Sequence, residues 1–449
     1  MTGLTRRSTR PWLIAIAGSS AVALSLTACG PANQGGGGGG GAGGAAGSVE
    51  ETPNFTYLNT VEDAPTADAI KELAAGACAE PNKAMPYKLE TVPQANLDQK
   101  LQLLAGQNAL PNMFAAGGAP SLTQSLDKNG QLVDLEKAFT EQGVMEQVEP
   151  AAVSTIKSLY GGKLNVFPYQ YNIEGFWYNT QVFEDNGIAV PQTWDEMVAA
   201  ADKLQKAGLI PFSTGVAGQG WPITRLISAY LQRDVGPNAL ADVRDKKAKL
   251  TDPKYVKAAQ AVADLGAKGY LGKAPEATDY DTINSQFLTG KAGMIYMGSW
   301  ILTNFADKKQ NKIGNENIGF FPIPTVAGGT GTTDQTVANV GLPTGLSAKL
   351  YGDKTAAWVK CIGQNYGKVS LEKEGRISGF KAPADVKVDA MTKLVQEQIK
   401  STKTGLVWFE AYLSSKASTT SWNNIGSMVN GKITAEKFMQ LVQADVDAT

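Results

Sequence analysis

Hydrophobic and polar positions within residues 50–449 follow two different periods in turn. Short segments that are apolar, or that alternate apolar with polar residues, predict strands, as at Tyr87–Val92. Segments with apolar residues every three or four positions predict helices, as at Trp194–Lys206, where Thr193 and Glu196 can form a capping box. The other predicted strands are 55–58, 112–116, 175–178, 210–213 and 292–297. The other predicted helices are 67–75, 97–104, 255–267, 355–362 and 434–446. Such alternation predicts an α/β fold whose sheets are covered on both faces.

The N-terminus carries a different pattern. Three arginines precede an apolar run over 12–26, which is too short and too poorly flanked for a stable membrane span. The sequence Leu-Thr-Ala-Cys then ends at Cys29 and resembles the lipobox of bacterial lipoproteins. That resemblance implies a signal peptide over 1–28 and a diacylglycerol thioether on Cys29. The alternative is an ordinary signal peptide with a chance cysteine, and the arginine pair leaves both the Sec and the Tat export routes open.

Glycine and alanine alone fill residues 35–47. Such a stretch cannot bury enough apolar surface to fold, so we predict a flexible tether over 29–49, counted from the lipidated cysteine. Its reach is roughly 25 Å. The chain after it has about 400 residues, which is too long for one typical core and predicts two lobes. These features place the protein outside the cell, anchored to the outer face of a membrane.

The composition excludes several classes of function. Lysine and arginine number 41 against 42 aspartates and glutamates, a balance that argues against nucleic-acid binding. The chain contains no histidine, so Ser-His triads, HExxH zinc sites and Cys-His pairs are impossible. No EF-hand spacing is present, and we expect neither a metal nor a cofactor. Besides Cys29 only Cys78 and Cys361 remain, which outside the cell can form one disulfide or stay as two buried thiols.

Four segments carry a family resemblance in their order along the chain. They are 176–196, with Phe-Trp-Tyr-Asn and Thr-Trp-Asp-Glu, 287–300, with Gly-Lys-Ala-Gly-Met and Gly-Ser-Trp, 319–324 and 431–436. Together they resemble the extracellular solute-binding proteins of sugar ABC importers, which include maltose- and oligosaccharide-binding proteins. The resemblance covers nearly all of residues 50–449. It implies a non-catalytic, monomeric lipoprotein that captures a sugar, expected to be a di- or oligosaccharide, and delivers it to a membrane permease driven by an ATPase.

The resemblance also implies a periplasmic-binding-protein-like fold of two α/β lobes with a ligand cleft between them. The chain would pass between the lobes at three hinge crossings. We place these crossings near 167–171, 324–328 and 378–383. The first lobe would then comprise 50–167 plus 328–378, and the second 171–324 plus 383–449. Cys78 and Cys361 would fall in the same lobe, which makes their pairing feasible.

Sugar recognition needs aromatic rings for the apolar C–H faces and polar side chains for the hydroxyls. The resemblance maps the aromatic positions onto Trp221, Trp300 and Trp422, whose alternative is core packing. Trp194 and Trp358 lie on predicted helices and are expected to pack. The polar and backbone candidates are Asn59, Glu62 and Asp63 after the first strand, Asn172 and Glu174 past the first crossing, and Gly117 in a glycine turn. The alternative for the three residues after the first strand is a solvated loop, and the alternative for Gly117 is a plain turn. Asn172 and Glu174 should share one side of a strand, and the alternative is that this side faces solvent.

Two other functions stay open at this point. A secreted glycosidase with two carboxylates needs no histidine, although no carboxylate pair stands out in the sequence. A receptor of the same fold could also bind a non-sugar solute such as a peptide, a polyamine or a metal complex. A cleft that lacks two or more exposed aromatic side chains would favour that alternative.

Overall fold

The computed structural model of the protein describes residues 51–117 and 120–448. The predicted signal peptide, the lipidation site Cys29 and the glycine-rich tether lie outside these residues. Within them, no helix is both long enough and apolar enough to cross a membrane.

The described residues form two β-sheets. Their strands are β1 (Phe55–Thr60), β2 (Tyr87–Val92), β3 (Met113–Ala115), β4 (Asn172–Asn179), β5 (Ile210–Phe212), β6 (Ala292–Gly298), β7 (Ile318–Phe321), β8 (Gln335–Asn339), β9 (Thr344–Leu346) and β10 (Thr404–Leu406). The first sheet has the order β2-β1-β3-β9, with β9 antiparallel to β3 and the other pairs parallel. The second has the order β10-β8-β4-β6-β5, and β7 also pairs with β4. We call the first sheet, together with the helices packed on it, the first lobe. The second sheet with its helices is the second lobe.

Helices surround both sheets. They are α1 (Ala64–Ala75), α2 (Ala79–Ala84), α3 (Gln94–Gly106), α4 (Pro120–Lys128), α5 (Leu135–Glu141), α6 (Pro150–Leu159), α7 (Thr180–Asp185), α8 (Trp194–Lys206), α9 (Trp221–Asp234), α10 (Ala239–Arg244), α11 (Pro253–Ala267), α12 (Tyr280–Leu288), α13 (Leu302–Ala306), α14 (Asp353–Glu374), α15 (Ala390–Ser401), α16 (Ser415–Val429) and α17 (Ala435–Asp447). The helix α8 has the predicted bounds. Its capping box is confirmed, because Thr193 Oγ1 accepts from the Glu196 amide at 3.2 Å and Glu196 Oε2 accepts from the Thr193 amide at 3.2 Å.

The central strand β4 shows why the second sheet is covered on both faces. Successive side chains of a strand point to opposite faces. Phe176 packs on one face against Phe321 at 5.2 Å, and Trp177 packs on the other against Phe320 at 4.8 Å. Both faces therefore need helices over them, which confirms the α/β class predicted from the alternating pattern.

Each lobe has its own hydrophobic core. The first-lobe core includes Phe55, which stacks on Trp358 at 4.8 Å between ring centroids. The second-lobe core includes Trp194, which meets Tyr230 edge-on at 5.0 Å. Trp194 and Trp358 are thus packing residues, as their helical positions predicted.

A disulfide joins two helical segments of the first lobe. Cys78 directly precedes α2, Cys361 lies in α14, and their Cα atoms are 5.7 Å apart. The two cysteines are 283 positions apart in sequence, so the bond ties the start of the described chain to the distant helix α14.

The chain passes between the lobes three times, and the second passage differs from the prediction. Residues 328–378 were assigned to the first lobe, but β8 pairs with β4 in the second sheet. The register explains this: β7 pairs with the second half of β4, which leaves its first half, from Asn172 to Glu174, free to pair with β8. The chain therefore returns to the first sheet only between Asn339 and Thr344, instead of at 324–328.

The first and third passages both run from the first lobe to the second. Phe167 still pairs with Thr344 of the first sheet, and the next strand, β4, belongs to the second. Phe380 packs against Phe167 in the first lobe, whereas the following helix α15 buries Met391 and Val395 against the second sheet.

Candidate functional site

A cavity lies where the three passages and the facing ends of the two lobes meet. Its volume is about 130 Å³. Its aromatic lining residues are Trp221, Tyr280, Trp300, Trp408 and Trp422. Its charged and amide lining residues are Glu62, Asp63, Arg225, Arg376, Glu410, Gln94, Gln170, Gln219 and Asn339, and Gly341 and Leu342 complete it.

The aromatic wall belongs to the second lobe. Trp221 opens α9 and Trp300 lies in the short 3-10 turn after β6. Their rings meet edge-on at 5.9 Å, and the Tyr280 ring lies 6.0 Å from the Trp221 ring. Trp221, Trp300 and Trp422 are half-buried, so part of each indole faces the cavity. Such a surface suits flat or ring-shaped ligands with apolar faces.

Two glycines let this wall form. A Cβ atom at Gly298, the last residue of β6, would overlap the ring of Trp300. A Cβ atom at Gly220, just before α9, would overlap the backbone of Trp422 in α16. The Trp300 ring and the Trp422 backbone therefore lie against glycines, where any side chain would displace them.

Glu410 is a buried carboxylate at the foot of the wall, with 1% of its surface exposed. Its Oε1 accepts hydrogen bonds from Thr224 Oγ1, from Trp422 Nε1 at 3.0 Å and from Ser421 Oγ at 3.5 Å. Its Oε2 is buried and has no hydrogen-bond partner among the described residues. Burial raises the pKa of Glu410, and the nearby charge of Arg225 opposes that rise.

Arg225 lines the cavity between two tryptophans of the wall. Its guanidinium carbon is 5.3 Å from the Trp221 ring and 5.2 Å from the Trp408 ring. One of its terminal nitrogens donates to Glu174 Oε1 in a buried ion pair. Burial raises the pKa of Glu174, against the attraction of Arg225 and a hydrogen bond from Asn339 Nδ2 at 2.8 Å. The cation and the rings hold each other in place, since an arginine over an indole face is attracted to it.

The first lobe contributes a second buried ion pair. Arg376 Nη1 donates to Asp63 Oδ1 at 2.7 Å, and both side chains are less than a tenth exposed. Arg376 Nε also donates to Thr303 Oγ1 of α13 at 3.2 Å, so this arginine contacts both lobes. Burial by itself would lower the pKa of Arg376, but the charge and the hydrogen bond of Asp63 outweigh it and raise the pKa.

Amide side chains connect the two ion pairs through the hinge. Gln170 Nε2 donates to Asp63 Oδ1 at 3.1 Å, and Asn172 Nδ2 donates to Gln170 Oε1 at 2.9 Å. Asn172 Nδ2 also donates to Asn339 Oδ1 at 3.2 Å, and Asn339 in turn donates to Glu174. A continuous polar chain thus runs from Asp63 through two passages to Arg225.

Five of the predicted site residues line the cavity: Trp221, Trp300, Trp422, Glu62 and Asp63. Glu62 is exposed at the rim of the cavity. Its carboxylate accepts a hydrogen bond from the backbone amide of Gln94, in the first turn of α3, at 2.9 Å.

The structure places the other four predicted site residues behind the cavity. Asn172 and Glu174 share one side of β4, as the spacing predicted, but both are buried against Asn339. Asn59 is fully buried and donates to the Asp63 carbonyl at 2.8 Å, so it holds the turn after β1. Gly117 has a φ of 78° and lies against Asp98, where a Cβ atom would overlap the carboxylate. Asn59, Asn172 and Glu174 hold lining residues in place, and none of the four lines the cavity itself.

Sequence reasoning did not identify Arg225, Arg376, Gln170, Glu410 and Trp408. No local motif marks these residues. One pattern was available for Arg225, since it stands four positions after Trp221, which is one helical turn and places both on the same face of α9.

Among the described residues, no group of three or more aspartate, glutamate or cysteine side chains is placed to hold a metal ion. The arrangement of rings, carboxylates and amides can instead bind a neutral polar ring by stacking and by hydrogen bonds.

The chain is similar to several known proteins. The sequence model of a family described as "Bacterial extracellular solute-binding protein" matches residues 63–358. A "Probable sugar-binding periplasmic protein" of Rhizobium meliloti (strain 1021) is 27% identical over 206 residues, 43% of this chain and 48% of that relative. The "Multiple sugar-binding protein" of Streptococcus mutans serotype c (strain ATCC 700610 / UA159) is 24% identical over 303 residues, 64% of this chain and 66% of that relative. The chain thus spans about half the length of the first relative. A solved structure named "Chitin oligosaccharide binding protein" has a TM-score of 0.78 and 25% identity, over 88% of this chain and 99% of that chain.

Proposed function

Because this chain belongs to the bacterial extracellular solute-binding proteins, we propose that its cleft captures a sugar, specifically a di- or oligosaccharide, and that the protein delivers it to an ABC importer. Two named relatives are sugar-binding proteins, and a solved structure of similar fold is named for chitin oligosaccharide binding. The proposal extends those functions to this chain on the strength of its own cleft.

The observation that carries the proposal is the composition of the cleft. Three half-buried indoles, those of Trp221, Trp300 and Trp422, share one cavity with carboxylate and amide side chains. A sugar ring has apolar C–H faces that stack on indoles and hydroxyls that need polar partners around its rim. A receptor for a non-sugar solute would not need such an array of rings, so the cleft favours the sugar alternative.

The position of the cleft accounts for how capture could be signalled. The indoles belong to the second lobe, and Asp63 and Glu62 belong to the first. A ligand that contacts both sets binds more tightly when the lobes are closed, so it shifts the protein toward the closed state by a hinge motion. The closed form is then the one that docks on the membrane permease.

We also propose that the protein acts as a monomer anchored to the outer face of the membrane through a lipid on Cys29. The lipobox-like sequence that ends at Cys29 and the Gly/Ala run over 35–47 support this anchoring. Detergent partition of the full-length protein and of a Cys29→Ala variant tests it. The full-length protein should enter the detergent phase and the variant should stay in the aqueous phase.

Calorimetry against a panel of mono- and oligosaccharides tests the proposed function, with small-angle scattering of the same samples to detect compaction. We expect saturable binding to at least one di- or oligosaccharide and a smaller radius of gyration in its presence. The absence of binding to every sugar would remove the assignment. Turnover of a chromogenic glycoside would instead favour the glycosidase alternative.

A further inference from the structure

The charged side chains of the cleft differ in whether each has an opposite charge as its partner. Arg376 is paired with Asp63 at 2.7 Å, and Arg225 is paired with Glu174. These two ion pairs are close to neutral. Glu410 is a buried carboxylate that has hydrogen bonds but no ion pair among the described residues, so in its ionised form it carries the uncompensated charge of this wall.

The hydrogen bonds of Glu410 use only one of its two oxygens. Donors from two helices, Thr224 of α9 and Trp422 of α16, both point at Oε1 and fix the carboxylate in one orientation. Burial is the larger effect and raises the pKa of Glu410, while these hydrogen bonds and the nearby charge of Arg225 oppose that rise. Oε2 is buried and without a partner among the described residues. A buried acceptor that lacks a donor costs free energy, which a ligand with a donor at this point would recover.

Arg225 has a matching free donor. Its Nε is buried and lacks a hydrogen-bond partner among the described residues, although its other end is bound to Glu174. Two residues that line the cavity therefore hold one unpaired acceptor and one unpaired donor. A hydroxyl group is a neutral group that can donate to the first and accept from the second.

We propose that Glu410 is a specificity-determining residue that selects neutral sugars over acidic ones, its Oε2 accepting a hydrogen bond from a ligand hydroxyl. This inference rests on the proposed sugar-binding function. A sugar carboxylate cannot donate to Oε2 and is repelled by the Glu410 charge, and both arginines already have carboxylate partners. At an effective dielectric constant of about 20, two like charges about 6 Å apart weaken binding roughly a hundredfold, and Arg225 offsets part of that.

The experiment compares neutral and acidic oligosaccharides of the same length by calorimetry at neutral pH. The probes are galactose and xylose oligomers and their acidic counterparts, galacturonate oligomers and xylose oligomers that carry glucuronate, together with any neutral sugar found to bind. In the unaltered protein each acidic sugar should bind about tenfold or more weakly than its neutral counterpart. This comparison needs no variant, so it decides even if a substitution at Glu410 impairs folding.

Glu410→Gln keeps the size of the side chain and removes its charge. We expect it to weaken binding of the neutral sugar. The ratio of the affinity for the neutral sugar to the affinity for the acidic sugar should fall by about tenfold. Glu397→Gln, an exposed carboxylate on α15, is the matched control and should leave the ratio unchanged. A purely structural role of Glu410 would change affinity for both sugars alike and keep the ratio.

The outcomes separate this inference from the function on which it rests. Tight binding of an acidic sugar, or an unchanged ratio in a folded Glu410→Gln variant, overturns the role of Glu410 and leaves the sugar receptor standing. Failure of the unaltered protein to bind any sugar overturns the receptor itself.

Discussion

Removing the charge of Asp63 should destabilise the protein far more than removing a surface carboxylate. Asp63→Asn leaves the guanidinium of Arg376 buried with no charge partner, since its other contacts are the hydroxyls of Thr303 and Thr66. With charge centres about 4 Å apart and an effective dielectric constant of about 20, the lost attraction is about 4 kcal/mol. Measured losses for one partner of a buried pair are about 3–5 kcal/mol, so we expect a fall of that size in the free energy of unfolding.

The chain offers a matched exposed pair as the control. Lys373 and Glu72 are 3.2 Å apart, but their side chains are 55% and 53% exposed. Glu72→Gln should cost less than about 1 kcal/mol, because solvent screens an exposed pair. Urea unfolding of the ligand-free proteins, followed by tryptophan fluorescence, gives both values under the same conditions.

A double-mutant cycle separates the ion pair from other effects of the substitution. Arg376→Met removes the cation, so the double variant with Asp63→Asn has no buried unpaired charge. Its loss should be smaller than the sum of the two single losses by about 1–3 kcal/mol. Additive losses, or an Asp63→Asn loss no larger than that of Glu72→Gln, would show that the pair is not coupled and refute the reasoning.

Three further predictions concern the site, the disulfide and a buried carboxyl group. Trp300→Ala and Trp422→Ala should each weaken sugar binding by up to several kcal/mol in calorimetry and leave the melting temperature of the empty protein nearly unchanged; unfolding of both would make them core residues. The double variant Cys78→Ala, Cys361→Ala should lose up to about 5 kcal/mol of unfolding free energy, because the bond closes a long loop, and reductant should then have no further effect. Burial raises the pKa of Asp98 to about 6, so its charge opposes folding above that pH and the cost vanishes below its usual value near 3.8. Asp98→Asn should therefore stabilise the protein by about 1–2 kcal/mol at pH 7.5, after allowance for solvent screening, and have little effect at pH 4; equal effects at both pH values would contradict this.

Much of the fold could be predicted because it depends on local patterns. The bounds of β2 and α8 agree with their predicted bounds, since a period of two or of 3.6 residues is visible in the sequence itself. The short strands β8, β9 and β10 were not predicted. Each is three to five residues long and is defined by its partner strands, which the sequence does not display. The misplaced second crossing follows from the missing β8.

The aromatic part of the site could be predicted and most of its polar part could not. Trp300 follows a strand in a recognisable motif, and its position in the cleft agrees with the motif. Glu410 lies in a loop, and its environment comes from Thr224 and Trp422, which are far from it in sequence. A carboxylate of this kind is recognisable only when three-dimensional contacts show which of its oxygens is free.

The misassigned residues indicate how the cleft is built. Asn172 and Glu174 were expected to contact the ligand, and instead they hold Asn339 and Arg225, which line the cavity. Two acidic side chains near one ligand would repel each other. A carboxylate that is paired with a buried arginine is neutralised, so it no longer repels a second carboxylate nearby. The two carboxylates therefore have separate tasks. Glu174 compensates Arg225, so that Arg225 can stay between the indoles, and Glu410 keeps an unpaired acceptor oxygen for the ligand. The same polar chain runs through two of the passages between the lobes, so the surroundings of Arg225 are connected to the hinge. Selection of the ligand and closure of the cleft would then depend on one connected set of side chains.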